Sequence, residues 1–335
     1  NQGLVEVRNL ITTIEGSPDS AKKGLDGVLA ALKDSEKRLD NDAILAASVA
    51  AARNVVLPLF FVPGEPTGRI ASNLPEYLEK NSLPASRAES GIPAREIVPP
   101  IAEFASGSLG LGHINLRTDH DGVVRSEPLF FNFEERLYPS FALQMTLKYL
   151  NFDLKSLLLG TSVRFGRKTI PLYENSRMLI SYNAGIPYYS FLDVTNKKVA
   201  PHLFKDKIVI ISLTAAGLGA MQVTPTAVNV QPVTIIANVI ENIINNDHIV
   251  RPDWAETLEL AMLVLFGLFI AFVIPHIKAG MSAVVSLALL VGWITTTIYF
   301  FVVYGYWVKS LYPALLLIVG YIVIVSKRYF LTEKT

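Results

Sequence analysis

The chain has 335 residues, 51% of them hydrophobic, and a net charge of +1. So small a charge argues against a nucleic-acid binder, and the absence of cysteine excludes disulfides and cysteine-ligated zinc. Mean hydropathy is +0.38, raised by the last third of the chain; residues 1–250 read as an ordinary soluble domain, long enough for a substantial core.

Asn1 is not a methionine and no apolar run opens the chain. Because residues 1–250 are expected outside a membrane, an export signal or upstream membrane helix is expected before Asn1. Ala21 to Leu39 carries a loose helical pattern. Asp40-Asn41-Asp42 supplies an N-cap for a helix from Ala43 to Arg53. Asn54 to Phe61 reads as a buried strand in which Pro58 marks an irregularity or an edge. Pro63 to Pro100 holds seven prolines and reads as one long loop. A short helix follows at Ile101–Ser106, with prolines at its entry.

Gly110 to Phe131 predicts a hairpin turning at Asp121-Gly122, with Gly122 at positive φ in a turn of the primed type. Pro139 to Leu150 predicts an amphipathic helix, and Val163 to Ile170 a second hairpin turning near Gly166. Met178 to Tyr182 reads as a strand. Lys207 to Ser212 is a continuous apolar run, expected to be a strand buried on both faces. Ile235 to Asn246 is the last outer helix and feeds Arg251-Pro252. The expected fold class is a mixed α/β extracytoplasmic domain followed by a three-helix transmembrane block.

Three apolar stretches, about 254–274, 281–303 and 308–325, each approach the roughly 20 residues that cross a bilayer core. Lys278 sits in the first connection and Lys327-Arg328 follow the last stretch, whereas the connection Tyr304–Trp307 is aromatic and uncharged. Positive charge stays inside, so residues 1–250 are expected outside, 254–326 in the membrane, and 327–335 at the start of a cytoplasmic linker. The lipid bilayer is thus the first expected partner. Glu256 and Glu259 fall at the mouth of the first helix, and Gly267 with Ala271 forms a small-residue pair suited to a helix contact.

Candidate sites are few. Asp119-His120-Asp121-Gly122 has the look of a cation loop, but Val123, Val124 and Arg125 stand where later oxygen ligands belong, so turn chemistry is the better reading. Arg125 has the fork to hold a ligand carboxylate or phosphate, or to pair with Asp119. Tyr182 and Asn183, with Tyr188, Tyr189 and Phe191, suit either the wall of a small-molecule pocket or a packed sheet end. Asp119, Arg125, Tyr182 and Asn183 are therefore the ligand-binding candidates. Thr214 to Gly219 lacks the glycine pattern and lysine of a phosphate loop. The five histidines are scattered, with no HExxH and no GxSxG. No catalytic residue, metal site or cofactor is expected in this chain, and no nucleic acid as partner.

Several of these stretches together resemble the second class of CHASE domains, the cyclase- and histidine-kinase-associated extracellular sensors. The resemblance runs over roughly 40–330. It rests on Gly112 to Arg125 with Asn115, Asp119 and Asp121-Gly122, on Pro139 to Leu143, on Ser181-Tyr182-Asn183 with Gly185, on Phe204 to Ile210, on Thr224-Pro225 and on Ala237 to Ile240. Departures stand at Leu218 to Met221, where relatives often carry an acid, and at Pro232 and Ile236, where they often carry a glycine and a histidine. The first strand that relatives have is not evident before residue 40. What the resemblance implies is a bacterial inner-membrane receptor, a homodimer, that senses an extracytoplasmic ligand. Its three helices would relay the signal to an output domain beyond Thr335: a class III adenylate or guanylate cyclase, or else a histidine or serine/threonine kinase. The alternative from the residues alone is a membrane-anchored binding or scaffolding module without enzymatic output.

Overall fold

A computed structural model describes residues 40–65, 74–85, 91–174, 176–182, 185–215 and 220–332. The helix expected over 21–39 lies outside the described residues.

Helix α1 (Asn41–Ala52) starts where the acidic cluster predicts, Asp40 Oδ1 accepting from Ala43 N at 3.0 Å. Strand β1 (Val56–Pro63) follows. The Val55 and Leu59 carbonyls both accept from the chain around β4 (Gly110–His113). Pro58, one residue off that register, therefore turns its missing N–H to the other edge, where β3 (Ile92–Val98) pairs only from Phe60 onward. The strand β3 corrects the reading of 63–100 as one loop: Pro93 hid it, yet it lies inside the sheet. The short helix α2 (Glu76–Lys80) and strand β2 (Leu83–Pro84) share that stretch, and α3 (Ala102–Gly107) follows the proline pair.

With β6 (Phe130–Phe133) and β7 (Arg136–Pro139) the main sheet runs β2-β7-β6-β3-β1-β4. Contacts β1–β4 and β3–β6 are parallel; β1–β3, β6–β7 and β2–β7 are antiparallel. Successive residues point to opposite faces, and the core shows it. Phe131 and Tyr138 join Leu59, Phe61 and Leu111 in one apolar cluster. Phe130 and Leu137 join a second, larger one with helix α4 (Phe141–Tyr149). The sheet is thus sandwiched between two apolar layers. The second layer is completed by the hairpin β8 (Ser162–Phe165) and β9 (Lys168–Pro171), which turns at Gly166 as expected, and by α6 (Pro232–Asn245), which packs on α4. A short helix α5 (Phe191–Thr195) lies between, with no buried residue.

Two expected elements differ. The Asp121-Gly122 turn forms, but its flanks do not stay together. After a single bridge, Arg117 to Ser126, β4 goes to the main sheet and β5 (Ser126–Pro128) pairs antiparallel with β10 (Arg177–Leu179). The second is Lys207–Ser212. It belongs to no sheet among the described residues, and instead of being buried on both faces it exposes Val209 and Ile211. Apolar content marks a run as β-prone; only the neighbouring chain decides whether it is covered.

Past α6, α7 (Trp254–Leu268) continues through a π-helical turn, Phe269–Val273, and a 3₁₀ turn, Ile274–His276, that contains Pro275. Helix α8 (Ala279–Tyr304) and helix α9 (Leu311–Thr332) follow. The spans Trp254–His276 and Gly280–Tyr304 are long and apolar enough to cross a membrane; in α9 the apolar part, Leu311–Lys327, is shorter. Gly267 makes no close helix contact. The tight approach is instead at Gly320, where an added Cβ would meet Ile270 Cδ1 at 2.6 Å.

Candidate functional site

The Asp121-Gly122 turn is built by two backbone bonds. Gly122 N donates to Asp119 O at 3.0 Å and Asp119 N to Val123 O at 2.9 Å. Gly122 has φ +79°, while His120 and Asp121 are not among the residues with positive φ. That combination is a three-residue loop ending in a left-handed glycine, not the primed two-residue turn. Arg125 lies across its mouth. Its guanidinium donates to Asp119 Oδ2 at 2.8 Å and to both carboxylate oxygens of Asp121 at 2.9 and 2.8 Å. The hydrogen bond from Arg125, helped by the Val123 N–H, pulls the Asp121 carboxyl down to about 2, and the two carboxylates raise the arginine further. Arg177 adds a longer ion pair to Asp119 at 3.8 Å.

Of the other candidates, Tyr182 is half-buried and donates its hydroxyl to Val124 O at 2.9 Å, so it is tied to the same turn. Burial, with the nearby Glu127 second, pushes its phenol up. Asn183 lies outside the described residues. Tyr188, Tyr189 and Phe191 are exposed. Asp119, Arg125 and Tyr182 are thus brought together, but the fork of Arg125 is already filled by this chain's own carboxylates.

Two groups near the turn were not singled out from sequence. Glu127, on β5, is 3% exposed and leaves Oε2 without a partner; burial pushes its carboxyl up to about 8 despite a hydrogen bond from Ser140. His113 is buried between Phe61 and Phe131 with both ring nitrogens unpaired, and burial lowers it to about 3. Nothing in the local sequence marks either group, because their burial comes from distant strands.

A continuous backbone ribbon leaves the turn. Ser126 bridges Arg117 on one side and pairs with Leu179 on the other; Leu179 bridges Ile249; and next to it Val250 bridges Tyr306. The last link has two bonds, Val250 N to Gly305 O at 2.9 Å and Trp307 N to Val250 O at 2.8 Å. The link between α6 and α7 is thereby stitched to the connection between α8 and α9. Beside it Arg251 makes a bidentate pair with Glu259, at 3.1 and 3.0 Å, and lies over the Trp307 ring at 5.7 Å. Glu259 Oε1 also accepts from Lys309 N at 2.7 Å. So Glu259 is a structural clasp, in place of a carboxylate left in a wet helix mouth. A cavity of about 610 Å³ opens here, lined by Tyr173, Glu174 and the stretch from Val250 to Trp254. Asp119, Arg125 and Tyr182 do not line it. Among the described residues no group of three or more acidic or histidine side chains is placed to hold a metal ion.

The structure thus joins an α/β domain by backbone bonds to apolar helices. The chain matches the family model of the CHASE2 domain over residues 15–272. It belongs to the CHASE2 family. No curated protein and no solved structure matches it. CHASE2 domains are extracellular sensor domains of signalling proteins, so the domain described here is a sensor, and the turn at Asp119–Arg125, the ribbon and the Arg251–Glu259 clasp are parts of a CHASE2 domain and its attachment to the following helices.

Proposed function

We propose that this CHASE2 chain is the sensory and membrane part of a multi-pass receptor of a bacterial inner membrane. Residues 1–250 stand outside, three helices span the bilayer, and the segment after α9 leads to a cytoplasmic output domain. The output we favour is a class III nucleotide cyclase, acting as a homodimer. Support for a relay comes from one observation above all, the unbroken pairing from Ser126 through Leu179 and Ile249–Val250 to Tyr306. Hydrogen-bonded strands resist shear, so a displacement at the Asp119–Arg125 turn is carried to two helix ends at once.

A ligand shifts such a receptor only through unequal affinity for its two states, typically worth about 1–3 kcal/mol. A carboxylate or phosphate that draws Arg125 away from Asp119 and Asp121 has that property, because it competes for a fork that is closed in the resting arrangement. Asp119, Arg125, Tyr182 and Asn183 are therefore the proposed ligand contacts.

The test is to insert a flexible Gly-Ser segment after Val250 in the protein as its gene encodes it, then to assay cyclase and kinase output with and without stimulus. Loss of regulation with a folded sensor is the expected result. Regulation that survives the insertion unchanged rules out a rigid junction. A reading frame that ends near Thr335 replaces the receptor with a membrane-anchored scaffold.

A further inference from the structure

The stretch 207–214 lies beside the core without helical or strand pairing and enters no sheet among the described residues. Lys207 N donates to Phe204 O at 3.3 Å and Thr214 O accepts from Gln231 Nε2 at 3.0 Å. Between those two anchors, no backbone group from Ile208 to Leu213 has a partner among the described residues. Ile208 and Ile210 pack against the core, whereas Val209, Ile211 and Leu213 are 47%, 76% and 81% exposed. A row of open peptide groups with apolar side chains on its outer face is a template for another strand, and proteins ordinarily blunt such edges with charge, proline or a bulge. None of those devices occurs between Ile208 and Thr214.

We propose that this stretch pairs antiparallel with the same stretch of a second copy of the chain, across a two-fold axis centred on Ile211. The inference rests on the homodimer reading above and gives it an interface. Three features favour a second copy in this orientation. The first is charge. Lys205, Asp206 and Lys207 precede the run, and the next charged residue after it is Glu241. Antiparallel pairing sets Lys207 opposite the uncharged far end of its partner. Parallel pairing would stack Lys205 on Lys205 and Lys207 on Lys207, and like charges directly opposite are destabilising.

The second is register. Residues directly opposite each other in an antiparallel pair share a face. A centre at Ile211 sets Val209 opposite Leu213, so every outward apolar residue meets another while Ile208 and Ile210 stay on the core side. The third is confinement. A single strand pair buries less than the roughly 800 Å² per partner that stable interfaces cover. Two chains held in one membrane plane, however, meet at a high effective concentration, which converts a weak contact into an occupied one.

The absence of cysteine from the chain gives a clean background for cross-linking. The intact chain in lipid nanodiscs is sized by light scattering and oxidised after Ile211→Cys, after Leu213→Cys, and as a mixture of Val209→Cys with Leu213→Cys. Opposed residues lie about 5 Å apart, within disulfide reach, whereas positions two residues off the axis do not. The expected result is a dimer in which Ile211→Cys cross-links at least tenfold more than Leu213→Cys alone, while the mixed pair cross-links well. Ile211→Lys places two cations on the axis at a site that tolerates a polar residue; it is expected to lower the dimer fraction at least tenfold with an unchanged circular dichroism spectrum, and Ile211→Val to leave it intact. Equal cross-linking at Ile211 and Leu213 means parallel pairing and overturns the geometry. A dimer that neither cross-links at Ile211 nor responds to Ile211→Lys overturns this interface and leaves the homodimer reading standing. A monomer overturns both.

Discussion

Asn242, fully buried in α6, holds both backbone polar groups of Ser181. Its Oδ1 accepts from Ser181 N at 2.8 Å and its Nδ2 donates to Ser181 O at 3.0 Å. The amide completes the pairing that β10 loses beyond Leu179, and so locks the last sensor helix to the ribbon. Asn115 does the same for Phe61 beyond the end of β4, at 2.9 and 2.7 Å. Asn242→Ala leaves the part-buried N–H and carbonyl of Ser181 without this partner, at about 1–2 kcal/mol each where water reaches them in part, so thermal or urea unfolding of the chain is expected to show a loss of about 2–4 kcal/mol. Unfolding curves that superimpose on wild type would mean the clasp is water-replaceable.

Glu127 sets a pH dependence. Its carboxyl rises from an ordinary 4.5 to about 8 in the fold, chiefly through burial. The folded state therefore keeps a proton that the unfolded state has lost. Its contribution is fully favourable below about pH 4.5 and is lost as pH climbs toward about 8, with a slope of at most about 1.4 kcal/mol per pH unit. Glu127→Gln keeps the shape and removes the titration. Melting temperatures compared at pH 5 and pH 8 should fall for wild type more than for the variant; equal falls would place the titration elsewhere.

Gly122 sits at φ +79° with nothing within 4 Å of where a Cβ would stand. The cost of a side chain there is in the backbone alone. Gly122→Val is expected to destabilise by about 1–3 kcal/mol, and Gly122→Asn, which enters the left-handed region more readily, by clearly less. Equal costs for the two variants would argue that the turn relaxes to another type.

Orientation is tested with the same cysteine-free background. Single cysteines at Ser310 and Ala279 flank α8. An impermeant thiol reagent added to intact cells should label the Ser310→Cys protein and spare the Ala279→Cys protein, as the cation asymmetry requires. The reverse pattern inverts the proposed topology.

Arg125 is 38% exposed and shared between two carboxylates, so truncating it costs little stability, on the order of 1 kcal/mol or less. Its proposed role lies in regulation. Arg125→Ala in the complete receptor is expected to abolish the response to stimulus while the melting temperature moves by only a few degrees. A full response in that variant removes Arg125 from the ligand contacts.

The local signals in this sequence were the ones that act within a few residues. Asp40 caps α1 because a carboxylate next to free N–H groups needs no tertiary help. Gly166 turns its hairpin, Gly122 takes positive φ, and Asp119 pairs with Arg125, all inside short loops. Two of the three apolar runs after Trp254 announce membrane-length helices by composition; the third is shorter. The family signature was legible for a similar reason, being spread over many short stretches with fixed spacing. Tertiary structure decided everything that depends on a remote neighbour. Pro93 looks like a strand breaker until β1 and β6 are laid on either side of β3. Lys207–Ser212 looks like a core strand, but burial belongs to the pair and not to the run, and no described chain covers Val209 and Ile211. Glu127 becomes a titrating group near pH 8 only because β10 and the N-terminal end of α4 remove its water. The stitch between Val250 and Tyr306, which joins the sensor to the connection between two distant helices, leaves no trace in sequence, because backbone hydrogen bonds are made by peptide groups that every residue carries.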